Sequence, residues 1–253
     1  MRTACSLPKP TGRIGNQNKS CALIAWPQKR EGEKNVIKAA LFDMDGVLAF
    51  TEEFYTNRRL AYLAEHGIVF DEVPDWTGTN DNEVWESSVP DPERRERLRA
   101  GYKVYADEHP TPWRELANDQ AHLTLSLLSG MGVKVGICSS SWRTLIEELV
   151  DQLELRGFVD FIISGAECLE YKPEPDIYLT AMERLGVRPE QTVVVEDSPI
   201  GIKAGKAAGA FVCALRQPAG VSLEQGAADL IIDELIEVVE LVRGTNVLAR
   251  PGA

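Results

Sequence analysis

The sequence predicts an α/β protein in which a doubly wound parallel sheet is interrupted by an inserted helical unit. From Val36 onward, apolar runs of strand length alternate with amphipathic segments. Between residues 51 and 112 the alternation stops and only helical patterns remain. Strands separated by helices pair in parallel, and their right-handed crossovers cover both faces of the sheet.

Taken in order, the strands fall at residues 36–42, 133–138, 161–164, 192–195, 211–215 and 230–232, each an apolar run without polar alternation. Such runs suit strands buried on both faces. Helices are expected at 143–153, 176–185 and 198–208, where apolar residues recur at three-to-four spacing; the second ends at Leu185-Gly186 and the third at Ala208-Gly209. Within the insert, residues 52–66, 80–88 and 92–108 read as helices. The insert leaves the chain between the first and second strands, which sets it at the carboxyl edge of the sheet, where open α/β folds bind ligands. The expected division is a tail at 1–35, a core at 36–50 and 113–245, a helical unit at 51–112 and a second tail at 246–253.

The 253 residues, 44% hydrophobic and 26% charged, are enough for one sizeable core and a small second unit. No run reaches the ~18 apolar residues of a membrane span, so no membrane partner is expected. Five cysteines, an odd number with no CxxC pair, suit a reduced, cytoplasmic protein. Cys138 and Cys213 lie in strand-like runs and read as small buried hydrophobes. Of the net charge of −12, residues 1–35 hold seven Lys or Arg against two Glu, a local +5 that leaves −17 for the rest. A body this acidic repels polyanions, so nucleic acid is not expected as a partner. A phosphorylated ligand would need local cations or a metal.

The first 35 residues show no apolar period, and no acid precedes Glu31. A transit peptide, a disordered tail and an over-extended gene start all fit, and tail or gene start is favoured over targeting.

Two acidic pairs carry the chemistry. The first strand ends in Asp43-Met44-Asp45-Gly46, which sets two carboxylates alternating along extended backbone before a glycine turn. A DxDG string also opens calcium loops, but the flanking helices of an EF-hand are missing here. The fourth strand ends in Glu196-Asp197-Ser198-Pro199. By itself that string reads as a helix N-cap. Four carboxylates at neighbouring strand ends would repel one another, and a hard cation such as Mg²⁺ removes the repulsion. Between the pairs, Ser139-Ser140-Ser141 closes a strand and offers hydroxyl and amide donors to a phosphate. Lys172, in Tyr171-Lys172-Pro173, would neutralise carboxylate and phosphate together. Taken singly, the serines read as a helix cap and the lysine as a surface charge.

Together, DMDGV, Ser139, YKPEPDIYL and VVVEDSPIGIKAGKAAG resemble the four ordered motifs of the haloacid dehalogenase superfamily, over about residues 37–242. The resemblance implies a Rossmann-like core with an α-helical cap, as in the branch of β-phosphoglucomutases and phosphoglycolate phosphatases. It implies Asp43 as nucleophile and Mg²⁺ ligand, and Asp45 as general acid/base that also offers its backbone carbonyl to the metal. It implies Ser139 and Lys172 as phosphate clamp, with Ser140 beside them, and Asp197 and Glu196 as further Mg²⁺ ligands, Glu196 directly or through water.

The expected activity is a Mg²⁺-dependent phosphatase acting on a small phosphorylated metabolite, of sugar-phosphate type, through an aspartyl phosphate. A β-phosphoglucomutase-like phosphomutase is the alternative. Against it stand Phe50-Thr51 followed by Tyr55, where those mutases carry Asp-Thr and a histidine, and the cap segment Gly78-Thr79-Asn80-Asp81, which lacks their arginine. A phospho-receiver would need neither Asp45 nor a helical insert. Arg58, Arg59 and Lys103 could touch substrate but read more simply as exposed helix charges. Neither monomer nor homodimer is favoured.

Overall fold

Along the first strand, Ala40 and Phe42 pack into one hydrophobic cluster while Ala39 and Leu41 pack into another on the opposite face. That alternation follows from the period of two of extended backbone, and it makes this strand the centre of the molecule. The computed structural model describes residues 36–74, 76, 81–218 and 221–248. Expectations for residues 1–35 and for the segment Gly78-Thr79-Asn80 lie outside the described residues.

The sheet has six strands, β1 (Ala39–Phe42), β2 (Lys134–Ser139), β3 (Phe161–Ser164), β4 (Thr192–Glu196), β5 (Phe211–Leu215) and β6 (Leu230–Ile232). Their spatial order is β3-β2-β1-β4-β5-β6, and every pairing is parallel. This is the doubly wound α/β arrangement that the alternating pattern predicts, with the chain turning back at β1.

Helices α5 (Ala121–Gly130), α6 (Arg143–Gln152) and α9 (Glu237–Leu248) supply residues such as Leu125, Ile146 and Val238 to the cluster on one face. Helices α7 (Asp176–Leu185) and α8 (Pro199–Ala207) supply Tyr178, Met182 and Ile202 to the other. Truncating a fully buried anchor such as Phe42 or Trp113 to alanine would cost ~3–5 kcal/mol. Within α9, Asn246 accepts from the Ile37 amide at 2.7 Å and donates to its carbonyl at 3.1 Å, so ordered helix continues past residue 245 and pins the entry to β1.

The helical insert comprises α1 (Glu52–Glu65), α2 (Asp81–Ser88) and α3 (Pro92–Glu108), followed by the short α4 (Trp113–Leu116) on the way back to the core. Asp91 caps α3 by accepting from the Arg94 amide, and Pro92 opens it where no amide is needed. Tyr62, Leu63, Trp76, Val84, Trp85, Val89 and Leu98 form a hydrophobic cluster separate from the two around the sheet. Arg59 corrects the expectation of an exposed helix charge: its side chain is 12% exposed, pairs with Asp81 at 2.7 Å and lies against Trp76, Trp85 and Tyr102. Arg58 likewise turns inward, donating to the Tyr102 hydroxyl and the His109 carbonyl. Lys103 is exposed.

Candidate active site

In the sheet register Phe42 lies beside Ile137 on one side and Val195 on the other, so β1, β2 and β4 end together. The next residues along each strand therefore meet at the carboxyl edge. Asp43 follows β1 and donates its amide to the Val195 carbonyl at 2.9 Å. Glu196 ends β4, and Cys138 and Ser139 end β2.

Lys172 joins these three strands. Its Nζ donates to Asp43 Oδ1 and Glu196 Oε1, each at 2.6 Å, and to the Cys138 carbonyl at 3.0 Å. An ammonium has three protons, and all three are taken. The Lys172 side chain is only 3% exposed. Burial alone would lower its pKa, but the Asp43 and Glu196 charges outweigh burial and raise it well above the ordinary range. Lys172 is thus a buried cation between two carboxylates, not the solvated surface lysine that it reads as when taken singly. The other Asp43 oxygen, Oδ2, accepts no hydrogen bond from the described residues.

Glu196 is fully buried and richly bonded. Oε1 accepts from Lys172 and, at 2.7 Å, from the Tyr178 hydroxyl. Oε2 accepts from the Asp197 amide at 3.1 Å and from the Ser198 amide and hydroxyl at 3.3 and 3.1 Å. Ser198 also accepts from the Gly201 amide and so caps α8. The carboxylate occupies space that a side chain at residue 201 would fill, since a Cβ on Gly201 would overlap both of its oxygens.

Asp197 is the opposite case. No hydrogen bond or ion pair among the described residues ends on its carboxylate, which sits over Gly46; there φ is +77° and a Cβ would collide with Asp197. Burial, reinforced by the charges of Glu196 and Asp43, raises its pKa well above the ordinary carboxylate value. Burial also pushes Asp43 up to about 8 against the opposing charge of Lys172, with Glu196 and Asp45 adding to the rise. Ligand oxygens of Asp43, Glu196 and Asp197 all lie within 4.8 Å of one another.

Asp45 faces hydroxyls instead. Thr51, just before α1, donates to Oδ1 at 2.5 Å, and Ser141 donates to Oδ2 at 2.7 Å. Ser139 approaches Oδ2 at 3.5 Å and accepts from the Ser141 amide at 3.0 Å. Burial raises the Asp45 pKa, while the Thr51 and Ser141 hydrogen bonds pull it down. Of the anticipated serines, Ser139 is buried in the site and Ser140 lies at the surface.

Ser141, Thr51 and Tyr178 were not singled out for these contacts. Ser141 had a readable signal, since alternate residues on extended backbone share a side and Ser141 is two beyond Ser139. Tyr178 had none, because an apolar-faced helix carries buried aromatics as a matter of course.

Such a site can hold a hard cation on bare carboxylate oxygens and an anion beside it, with a buried carboxylate placed for attack. The family profile for haloacid dehalogenase-like hydrolases matches residues 40–215. The chain belongs to this family. Members of the superfamily generally use a divalent metal, in keeping with the acidic cluster.

Among relatives of this haloacid dehalogenase-like hydrolase, validoxylamine A 7'-phosphate phosphatase of Streptomyces hygroscopicus subsp. limoneus is 30% identical over 205 residues, covering 79% of this chain and 95% of that protein. Hexitol phosphatase B of Escherichia coli K12 is 31% identical over 182 residues, covering 68% of this chain and 80% of that protein. A solved structure of a CbbY variant from Rhodobacter sphaeroides, in complex with xylulose-1,5-bisphosphate, superposes with a TM-score of 0.65 at 25% identity, covering 80% of this chain and 96% of that one. The motif resemblance and the superposition agree on the Rossmann-like core. Membership of a hydrolase family sets aside the phospho-receiver reading. Among the described residues no helix is long and apolar enough to cross a membrane.

Proposed function

We propose that this hydrolase is a Mg²⁺-dependent phosphatase that releases phosphate from a small phosphorylated metabolite of sugar-phosphate type. The carrying observation is the buried Asp43, held through one oxygen by Lys172 and, among the described residues, free of hydrogen bonds at the other. That geometry suits a nucleophile already positioned for in-line attack on phosphorus. Asp43 Oδ2 forms the bond to phosphorus as the bond from phosphorus to the leaving oxygen breaks, giving an aspartyl phosphate. Asp45 gives its proton to that leaving oxygen; its carboxylate then takes a proton from a water whose oxygen bonds to phosphorus as the bond from phosphorus to Asp43 Oδ2 breaks, which releases inorganic phosphate and restores the Asp43 carboxylate. The Thr51 and Ser141 hydroxyls hold Asp45 in place for both transfers. Lys172, bonded to Asp43, and the Ser139 hydroxyl, beside Asp45, would form the clamp on the phosphoryl oxygens.

The metal has support from Asp197. A buried carboxylate among like charges, with no donor among the described residues, is relieved by a cation; Asp43 and Asp197 would hold one on oxygen, beside the charge of Glu196, whose two oxygens already accept five hydrogen bonds. Mg²⁺ there would neutralise the phosphate and the attacking carboxylate together. The helical insert at the carboxyl edge would act as the cap that encloses the leaving group.

The names of the two phosphatase relatives support hydrolysis over isomerisation, as do Phe50 and Tyr55. The test is a panel of phosphorylated metabolites with Mg²⁺, read as released phosphate for wild type and Asp43→Asn. Turnover by wild type alone is expected. Glucose 6-phosphate made from β-glucose 1-phosphate and a bisphosphate primer, with little free phosphate, would favour the mutase instead.

A further inference from the structure

Lys172 has no spare proton. Its three N–H groups are spent on Asp43, Glu196 and the Cys138 carbonyl. To meet a phosphoryl oxygen it must release one partner. Releasing the Cys138 carbonyl would take the side-chain donor from a buried backbone acceptor, and releasing Asp43 would free the nucleophile from its orientation. Releasing Glu196 would strip a donor from a carboxylate that is 0% exposed, which is costly unless a second donor stays behind.

Tyr178 is that second donor. Its hydroxyl lies 2.7 Å from the same Oε1 that Lys172 touches. Its ring lies 5.1 Å from Lys172 Nζ, so the ammonium can shift without leaving the π face. Glu196 cannot follow the lysine, because Oε2 is tied to Asp197 and Ser198 and the carboxylate is seated over Gly201. Tyr178 itself is fully buried in the cluster between α7, α8 and the sheet.

We infer that Tyr178 is a positioning residue: its hydroxyl retains Glu196 Oε1 while Lys172 turns from Glu196 to the phosphoryl group. The inference rests on the phosphatase reading above. A tyrosine that only satisfied its own hydroxyl in the core would affect stability alone. One that acts through Lys172 affects turnover, and only while Lys172 is present.

The experiment is a double-mutant cycle with Tyr178→Phe and Lys172→Met, using p-nitrophenyl phosphate as substrate, Mg²⁺ as metal and orthovanadate as phosphate mimic. Tyr178→Phe keeps the ring and the packing. It should lower kcat about tenfold and weaken vanadate by a similar factor, the scale of one hydrogen bond to a charged group. KM and the Mg²⁺ half-saturation should stay within about twofold. In the Lys172→Met background the same change should cost less than about twofold in turnover and in vanadate affinity, the latter measured by calorimetry independently of catalysis. A tenfold loss persisting without Lys172, or a Tyr178→Phe enzyme with wild-type kcat, overturns the inference. Asp43→Asn run alongside separates the two readings: if it turns over like wild type the phosphatase proposal fails, whereas an inactive Asp43→Asn beside an unaffected Tyr178→Phe removes only the role of Tyr178.

Discussion

Thr51 Oγ1 lies 2.5 Å from Asp45 Oδ1, so the residue that opens the helical insert holds the second carboxylate of the DxD pair. If Asp45 protonates the leaving oxygen, Asp45→Asn should slow hydrolysis of an alkyl phosphate by ~10²–10⁴ and that of an aryl phosphate much less, because an aryl oxide leaves with little help. Wild-type to mutant rate ratios, measured for both substrates in one buffer, check this. Equal ratios would leave Asp45 a structural or electrostatic role.

The serines divide by position. Ser141→Ala removes a 2.7 Å hydrogen bond to Asp45 and should reduce turnover by about tenfold. Ser140→Ala, at the surface, should leave kcat and KM near wild type. The reverse order would place Ser140 on the phosphate and contradict the geometry.

Metal removal should abolish turnover, with Mg²⁺ restoring it after EDTA. The linkage has a definite sign. In the metal-free site burial raises Asp43 to about 8, and burial together with the Glu196 and Asp43 charges raises Asp197 well above its ordinary value, so near neutral pH the cluster retains protons that a cation must displace. Mg²⁺ affinity should therefore increase as pH rises from about 6 to 8, with proton release on binding. Calorimetry in buffers of different ionisation enthalpy measures it, and zero proton release would contradict the reading.

Gly201→Ala should be among the most damaging small substitutions. Its Cβ would overlap the Glu196 carboxylate, which five donors hold in place. Overpacking of this kind costs ~1–3 kcal/mol, and Lys172 would shift with its partner. A lowered melting temperature together with lowered kcat is expected. Gly130→Ala, where a Cβ meets nothing within 4 Å, serves as the control.

By itself the sequence determined the parallel sheet, the strand ends at or just beyond which Asp43, Asp45, Ser139 and Asp197 lie, and the loop after the third strand that carries Lys172. These are local properties: apolar runs of strand length, helical periods between them, and polar residues at the points where those runs stop. It did not disclose α5, whose leucines at 123, 125 and 127 alternate like a strand while Ala121, Thr124, Leu125 and Leu128 are the buried, helically spaced set. Tertiary structure decided which serines reach Asp45, because a loop's side-chain directions depend on what packs beneath it. It also decided that Arg59 lies inside the insert and that Glu196 is saturated by donors while the Asp197 carboxylate has none among the described residues. Those outcomes depend on pairs distant in sequence, such as Lys172 with Asp43 and Tyr178 with Glu196, and only the closed sheet brings them within hydrogen-bonding distance.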